Sequence, residues 1–206
     1  MAANYSDQEQ VDKIKDWLKA NGPGIIAGVV LGLVAIGGWQ WWQSRTQAQA
    51  ETASRYYNSM LEAVSLGDVA QTRHYATVLT DEFDRSHYAV LAALLVARLD
   101  VEGRDYAAAL TQLQWALEQT RDQALQSIIR LRLARVLLAE QQWDLAHAQL
   151  DQVSAPEFTA EREELRGDVY RAQNQPDQAR QAYETALTAS GDQRLRWKLH
   201  SLPDTP

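Results

Sequence analysis

The run from Ile25 to Trp42, IIAGVVLGLVAIGGWQWW, constrains this chain more than any other stretch. It holds no charged residue, and Gln40 is its only strongly polar side chain. Coiled as a helix at ~1.5 Å per residue it reaches roughly 27 Å, close to the ~30 Å hydrocarbon core of a bilayer, and Gly22–Gly24 completes the length. No second stretch goes uncharged for so long, so inside a globular core this helix would have no equally apolar partner. The reading is a single N-terminal transmembrane helix. A cleaved secretory signal is the alternative, and Ala48-Gln49-Ala50 has the small-residue pattern of a cleavage site. Against it stand the length of the run, the partly acidic residues 1–24 ahead of it, and Trp39, Trp41 and Trp42, whose rings favour the headgroup level.

The flanks supply an orientation. Residues 1–8 are polar and expected to lack structure. Glu9–Ala20 reads as an amphipathic helix with Val11, Ile14, Trp17 and Leu18 on one face, suited to lying in a membrane interface. Asn21-Gly22-Pro23-Gly24 is expected to break it before the span. Lys13, Lys15 and Lys19 precede the span, whereas Arg45 and Arg55 come after it. This excess, though small, puts the N-terminus in the cytoplasm and the larger domain across the membrane. Within the span Gly24, Gly28 and Gly32 recur every fourth residue and, with Ala35, form one face against which a second membrane helix can approach closely.

Charge and composition narrow the character of the domain beyond the span. The chain carries −7 overall, of which residues 1–42 contribute −1 and the remainder −6. An acidic domain makes a poor nucleic-acid binder, because phosphate contacts need clustered lysine and arginine. The chain has no cysteine, which removes disulfides and cysteine metal sites. Alanine, leucine, glutamine and arginine dominate, so the domain is expected to be all-α.

The helices fall into pairs. Glu51–Leu66 ends at Gly67-Asp68, and Val69–Thr80 comes next, with Phe83 in the acidic turn Asp81–Arg85 as a core plug. Beyond these come Ser86–Glu102 with Asp105–Gln119, Asp122–Gln141 with Trp143–Val153, Thr159–Gln173 with Asp177–Ser190, and a final helix Asp192–Leu202. Ala109, Ala146 and Ala179 open the second helix of three pairs, 37 and 33 residues apart. Each is followed four residues on by a large side chain (Leu113, Leu150, Tyr183) and three further by Ala116, Val153 or Ala186. That order at a period of about 34 is the tetratricopeptide pattern, in which small residues sit where hairpin helices touch and a bulky one plugs the gap. The last unit is the fullest match, with Gly167, Tyr170, Ala179, Tyr183 and Ala186 in register, whereas the first has Asp100 where an aromatic is usual. The expected organisation is a tail over 1–21, the span over 22–42, a helical linker and N-terminal helices over 43–85, and repeats with a capping helix over 86–206.

Stacked hairpins expose a groove along their first helices. In this register it offers Leu91, Leu94, Arg98 and Val101, then Ile128, Leu131, Arg135 and Leu138, then the polar Glu161, Glu164, Asp168 and Arg171. The first two sets form an apolar strip with two arginines that can hold a partner segment; equally, the N-terminal helices can cover these leucines as ordinary core. Catalysis finds no support. The four histidines are scattered without zinc-site spacing, no serine sits in a nucleophile motif, and no cofactor-binding loop is present. Asp81, Glu82, Asp84 and His87 do not match a calcium loop and read as a solvated turn.

The sequence EQVDKIKDWLKANG, the glycine-rich span, GWQWW, LRLARV (Leu131–Val136) and ELRGD (Glu164–Asp168), in that order, resemble the YfgM-like family, the ancillary subunit of the bacterial SecYEG translocon. The resemblance covers essentially the whole chain. It implies a single-pass, type II inner-membrane protein with a cytoplasmic N-terminus and a periplasmic repeat domain. It also implies partners: SecYEG, the periplasmic chaperone PpiD and emerging secreted chains. No catalytic residue or cofactor comes with it. Pro176 departs from the usual aromatic of the third repeat and is expected to loosen that turn. The alternative from another class is a cell-envelope scaffold whose repeats bind a fixed partner outside secretion.

Overall fold

The computed structural model describes residues 3–203, with side chains throughout from residue 30 and at scattered positions before it. Among the described residues there is no β-strand. The helices are α1 (Ala3–Ser65), α2 (Val69–Glu82), α3 (His87–Glu102), α4 (Tyr106–Gln119), α5 (Gln123–Ala139), α6 (Trp143–Asp151), α7 (Thr159–Ala172), α8 (Pro176–Ser190) and α9 (Arg194–His200), with a 3-10 turn at Pro156–Phe158 before α7. The chain divides into two compact units, Met1–Glu51 and Thr52–Pro206.

Two N-terminal expectations are corrected. Residues 3–8 are helical, and α1 runs unbroken through Asn21–Gly24. Pro23 removes one intrahelical donor, and the Asn21 side-chain amide adds a bond to the Trp17 carbonyl at 2.9 Å. A break there would cost a second helix nucleus and orphan backbone groups at two new ends, more than one proline costs in place. The side chains of Ile14 and Leu18, and of Ile25–Ala27 and Val29 in the expected span, lie outside the described residues. Every described apolar side chain of residues 30–42 is exposed, among them Leu31, Val34, Ile36, Trp39, Trp41 and Trp42. Among the described residues no helix is long and apolar enough to cross a membrane. At the end of the run Trp39 and Trp42 pack ring to ring at 5.6 Å, and the Arg45 guanidinium lies 5.4 Å from the Trp41 ring.

The second unit is built from one repeated hairpin. Gly67, Arg104, Gln141 and Asn174 have φ of 71°, 61°, 60° and 58°, and succeed one another at 37, 37 and 33 residues. Each stands just past a first helix, where a left-handed residue lets the next N–H reach back into the last turn. Thus Asp68 bonds Ala63, Asp105 bonds Asp100, Gln142 bonds Leu137 and Gln175 bonds Tyr170, all at 2.8–2.9 Å. The same three intervals relate the buried residues. Met60, Ala97, Ala134 and Gly167 occupy one position, and Ala76, Leu113, Leu150 and Tyr183 the position facing it across the hairpin. Where one member is large the other is small: methionine with alanine, alanine with leucine twice, glycine with tyrosine. The extreme case is Gly167, where an added Cβ would lie 2.4 Å from Tyr183 Cε1.

Within the expected linker and N-terminal helices, the end of α1 pairs with α2 as a fourth hairpin of the same kind. This hairpin lacks the small-large-small order in α2 because Ala76 stands where the other hairpins carry Leu113, Leu150 and Tyr183, and Leu79 follows it. Its core joins Ala53, Met60, Ala76 and Leu79 to Ala89, Ala92 and Val96 of α3, and Phe83 packs on Tyr56 with ring centroids 5.8 Å apart. Asp68, Ser86, Asp105 and Asp122 cap α2, α3, α4 and α5, each accepting from a backbone N–H three residues on. Pro176 does not loosen the turn before α8. It takes the first position of α8, where its missing N–H has no intrahelical partner to lose, and the turn before it closes by the same hydrogen bonds as the others.

The far end is closed by α9. Leu195 and Leu202 are buried, Leu199 partly so, and Lys198 Nζ bonds both oxygens of Asp168 and one of Glu164, each at 2.8 Å. Tyr183 donates its phenolic proton to Asp168 at 2.8 Å. Burial first, and that bond second, push the Tyr183 phenol well above its ordinary range.

Candidate protein-binding surface

The first helices of the second and third hairpins, α3 and α5, meet along a shared seam. Ala93, Leu94 and Ala97 of α3, Leu113 of α4, and Ile129, Leu133 and Val136 of α5 fill it as one cluster. At one place the seam opens into a depression of about 370 Å³. Its floor is Leu94, Ala97, Leu113 and Val136, its open side Val101, and its rim Arg98, Arg132 and Arg135 with the one acid Glu102. Arg98 is tied to Glu102 of its own helix at 2.8 Å. No ion pair to Arg132 or Arg135 occurs among the described residues. Burial, then repulsion from Arg135 and Arg98, pulls the Arg132 guanidinium below its ordinary range.

The eight groove positions of the first two units therefore separate. Leu94, Arg98, Val101 and Arg135 meet in the depression. Leu131 points the other way, into the core shared with Ala146, Leu150, Leu165 and Val169, and Leu138 packs on that core. Leu91 and Ile128 are half-buried and do not line the depression. The N-terminal hairpin covers a different strip of α3, that of Ala89, Ala92 and Val96. In the α7–α8 hairpin Glu164 and Asp168 are engaged by Lys198, while Arg171 lies 3.8 Å from Asp168. Arg132 was not among the expected residues. Its spacing of one turn from Arg135 in the LRLARV segment marks it as a neighbour on the same helix face.

The packing positions Ala109, Ala146, Ala179, Tyr183 and Ala186 are fully buried, Gly167 is buried, and the Tyr170 ring is half-buried against His147 at 4.6 Å. In α1, Gly24, Gly28, Gly32 and Ala35 are exposed, and open space surrounds a Cβ built on any of the three glycines. A second, larger opening of about 640 Å³ lies over α4, α5 and α6, floored by Leu110, Trp115 and Leu137 and edged by glutamines. Among the described residues no group of three or more histidine, aspartate or glutamate side chains converges as a metal site.

The model of the tetratricopeptide repeat-like domain matches residues 15–204. A Haemophilus influenzae protein named "Ancillary SecYEG translocon subunit" is 31% identical over 98% of this chain and 100% of its own length. The chain belongs to this family. An Escherichia coli member of the same name is 29% identical over 96% of the chain and 97% of its own length, and a Neisseria gonorrhoeae member 28% over 98% and 100%. Among solved structures, "MamA 41-end from Desulfovibrio magneticus RS-1" superposes with a TM-score of 0.60 at 19% identity, covering 71% of this chain and 81% of that one. That likeness is one of fold. The family match begins at Lys15, ahead of the apolar run, and so takes in the run together with all four hairpins.

Proposed function

We propose that this chain is a single-pass inner-membrane adaptor of the SecYEG translocon. Residues 22–42 span the bilayer, the N-terminus is cytoplasmic, and the repeat domain works in the periplasm. There it docks a membrane-bound chaperone such as PpiD and meets secreted chains as they emerge. The observation that carries the proposal is kinship along nearly the full length with proteins named as ancillary subunits of that translocon. Two features of this chain support it. Residues 30–42 expose apolar side chains on all sides of a helix, the arrangement lipid requires and water penalises. The second unit is a stack of helical repeats, an architecture suited to holding partners.

Tethering is the mechanism. A weak site fixed beside the pore meets its partner at an effective concentration of about millimolar order, so modest affinity suffices. The open glycine face of α1 is the contact proposed for a neighbouring membrane helix. Photocrosslinkers placed at Val101 and Arg135 test the role. During active secretion they capture emerging chains or the chaperone, and crosslinks to neither contradict the reading.

A further inference from the structure

We infer that the depression between α3 and α5 receives a bulky apolar side chain of a partner polypeptide flanked by aspartate or glutamate residues. The inference rests on the adaptor reading and gives its docking site a chemistry.

Charge comes first. The chain carries −7, yet Arg98, Arg132 and Arg135 converge on one small opening. Like charges crowded at a partly buried rim repel one another: the Arg132 guanidinium is lowered first by burial and then by Arg135 and Arg98. Glu102 answers only Arg98. Incoming carboxylates would relieve the crowding and form charge-assisted, bidentate bonds of the kind guanidinium favours.

Shape comes second. The floor residues Leu94, Ala97, Leu113 and Val136 are each 5% exposed or less, so only a projecting group reaches them. A volume of about 370 Å³ admits one or two large side chains. A flat anionic bilayer would meet the arginines and leave the floor untouched. A polypeptide with an apolar residue between acids satisfies rim and floor together.

The test uses the full chain in detergent micelles and fluorescence anisotropy of three short labelled peptides. The first carries Leu-Phe between two Glu-Asp pairs, the second has lysines for the acids, and the third has serines for Leu-Phe. The first should bind at least about tenfold more tightly than either of the others, with affinity falling as salt rises. Reversing the rim with Arg132→Glu and Arg135→Glu together should weaken it about tenfold. The corresponding pair of lysine substitutions, which keeps the charge but not the guanidinium fork, should bind more weakly than wild type and more tightly than the charge-reversed protein, and circular dichroism should report unchanged helicity for both. Equal binding of the three peptides, or no response to charge reversal, overturns the inference. So does a charge-reversed protein that keeps the peptide but loses phosphatidylglycerol vesicles. Recovery of translocon subunits from the same preparation is scored separately. If they co-elute while the peptides fail to discriminate, the docking chemistry is wrong and the adaptor role stands; if they are absent, it is the adaptor role that fails.

Discussion

Gly167→Ala is the sharpest perturbation of the repeat stack. A Cβ at this position lies 2.4, 2.5 and 2.9 Å from Cε1, Cδ1 and Cζ of Tyr183, where ordinary contact begins about 1 Å further out. The ring has little room to retreat. It is fully buried, its hydroxyl is bonded to Asp168 at 2.8 Å, and Lys198 Nζ sits 5.5 Å from its centroid. Forcing one carbon into such a site costs ~1–3 kcal/mol, and losing a hydrogen bond to a charged acceptor a further ~1.5–3. Alanine returns ~1 kcal/mol through better helix propensity. The net is a loss of about 1.5–5 kcal/mol, which lowers Tm by ~3–20 °C for a chain of this size. Thermal circular dichroism of the full chain measures it. The decisive comparison is the same substitution in a Tyr183→Leu background. There the clash is absent, so the cost should shrink by at least about 1 kcal/mol relative to wild type. Equal costs in the two backgrounds, or a raised Tm in the wild-type one, would refute the proposed glycine–tyrosine fit.

Three further outcomes rest on the geometry. Gln141 holds φ of 60°, so Gln141→Gly should stabilise the domain by roughly 0.5–1 kcal/mol in denaturant titration, whereas Gly67→Ala at φ of 71° should cost about that much or more. Tyr183 stays protonated in the fold beyond the pH at which an unfolded tyrosine ionises, near ~10. Its contribution is therefore complete below that value and declines as pH rises above it; Tyr57, raised by burial, adds to the decline, and Tyr183→Phe should flatten the alkaline limb of a stability-versus-pH profile. Leucine at both Gly28 and Gly32, where a Cβ meets nothing within 4 Å among the described residues, should leave the repeat domain's melting unchanged while reducing co-purification with translocon or chaperone; undiminished recovery removes the glycine face as a contact.

Most of the architecture was legible because repeat positions carry strong size constraints. Ala109, Ala146 and Ala179 announce hairpin contacts, and aspartates at 68, 105 and 122 announce helix starts. The fourth hairpin was not legible from the same pattern, since Ala76 and Leu79 put the small residue before the large one, and only Met60 on the facing helix restores the volume. Three of the four left-handed turns were hidden too. Arg104, Gln141 and Asn174 do there what glycine does at position 67, and propensity alone gives no reason to put arginine or glutamine in that conformation. The groove was legible in half. Placing Leu131 and Leu138 required knowing which way α5 rotates against α7, a tertiary choice that helical spacing leaves open. Asp100 shows the same limit. It stands where an aromatic is usual, yet it is buried and ion-paired to Arg73 of α2, a partner 27 residues away, so it ties adjacent hairpins together rather than marking a failed repeat.

The account depends above all on an apolar helix that stays in lipid beside the translocon while the repeats act as a holder of partners. Affinity purification of the tagged full chain from salt-washed membranes dissolved in mild detergent tests this directly. The expected result is that the chain leaves the membrane only with detergent and elutes together with SecY and SecE. Recovery of the full-length chain from the salt wash itself, free of those subunits, would contradict it.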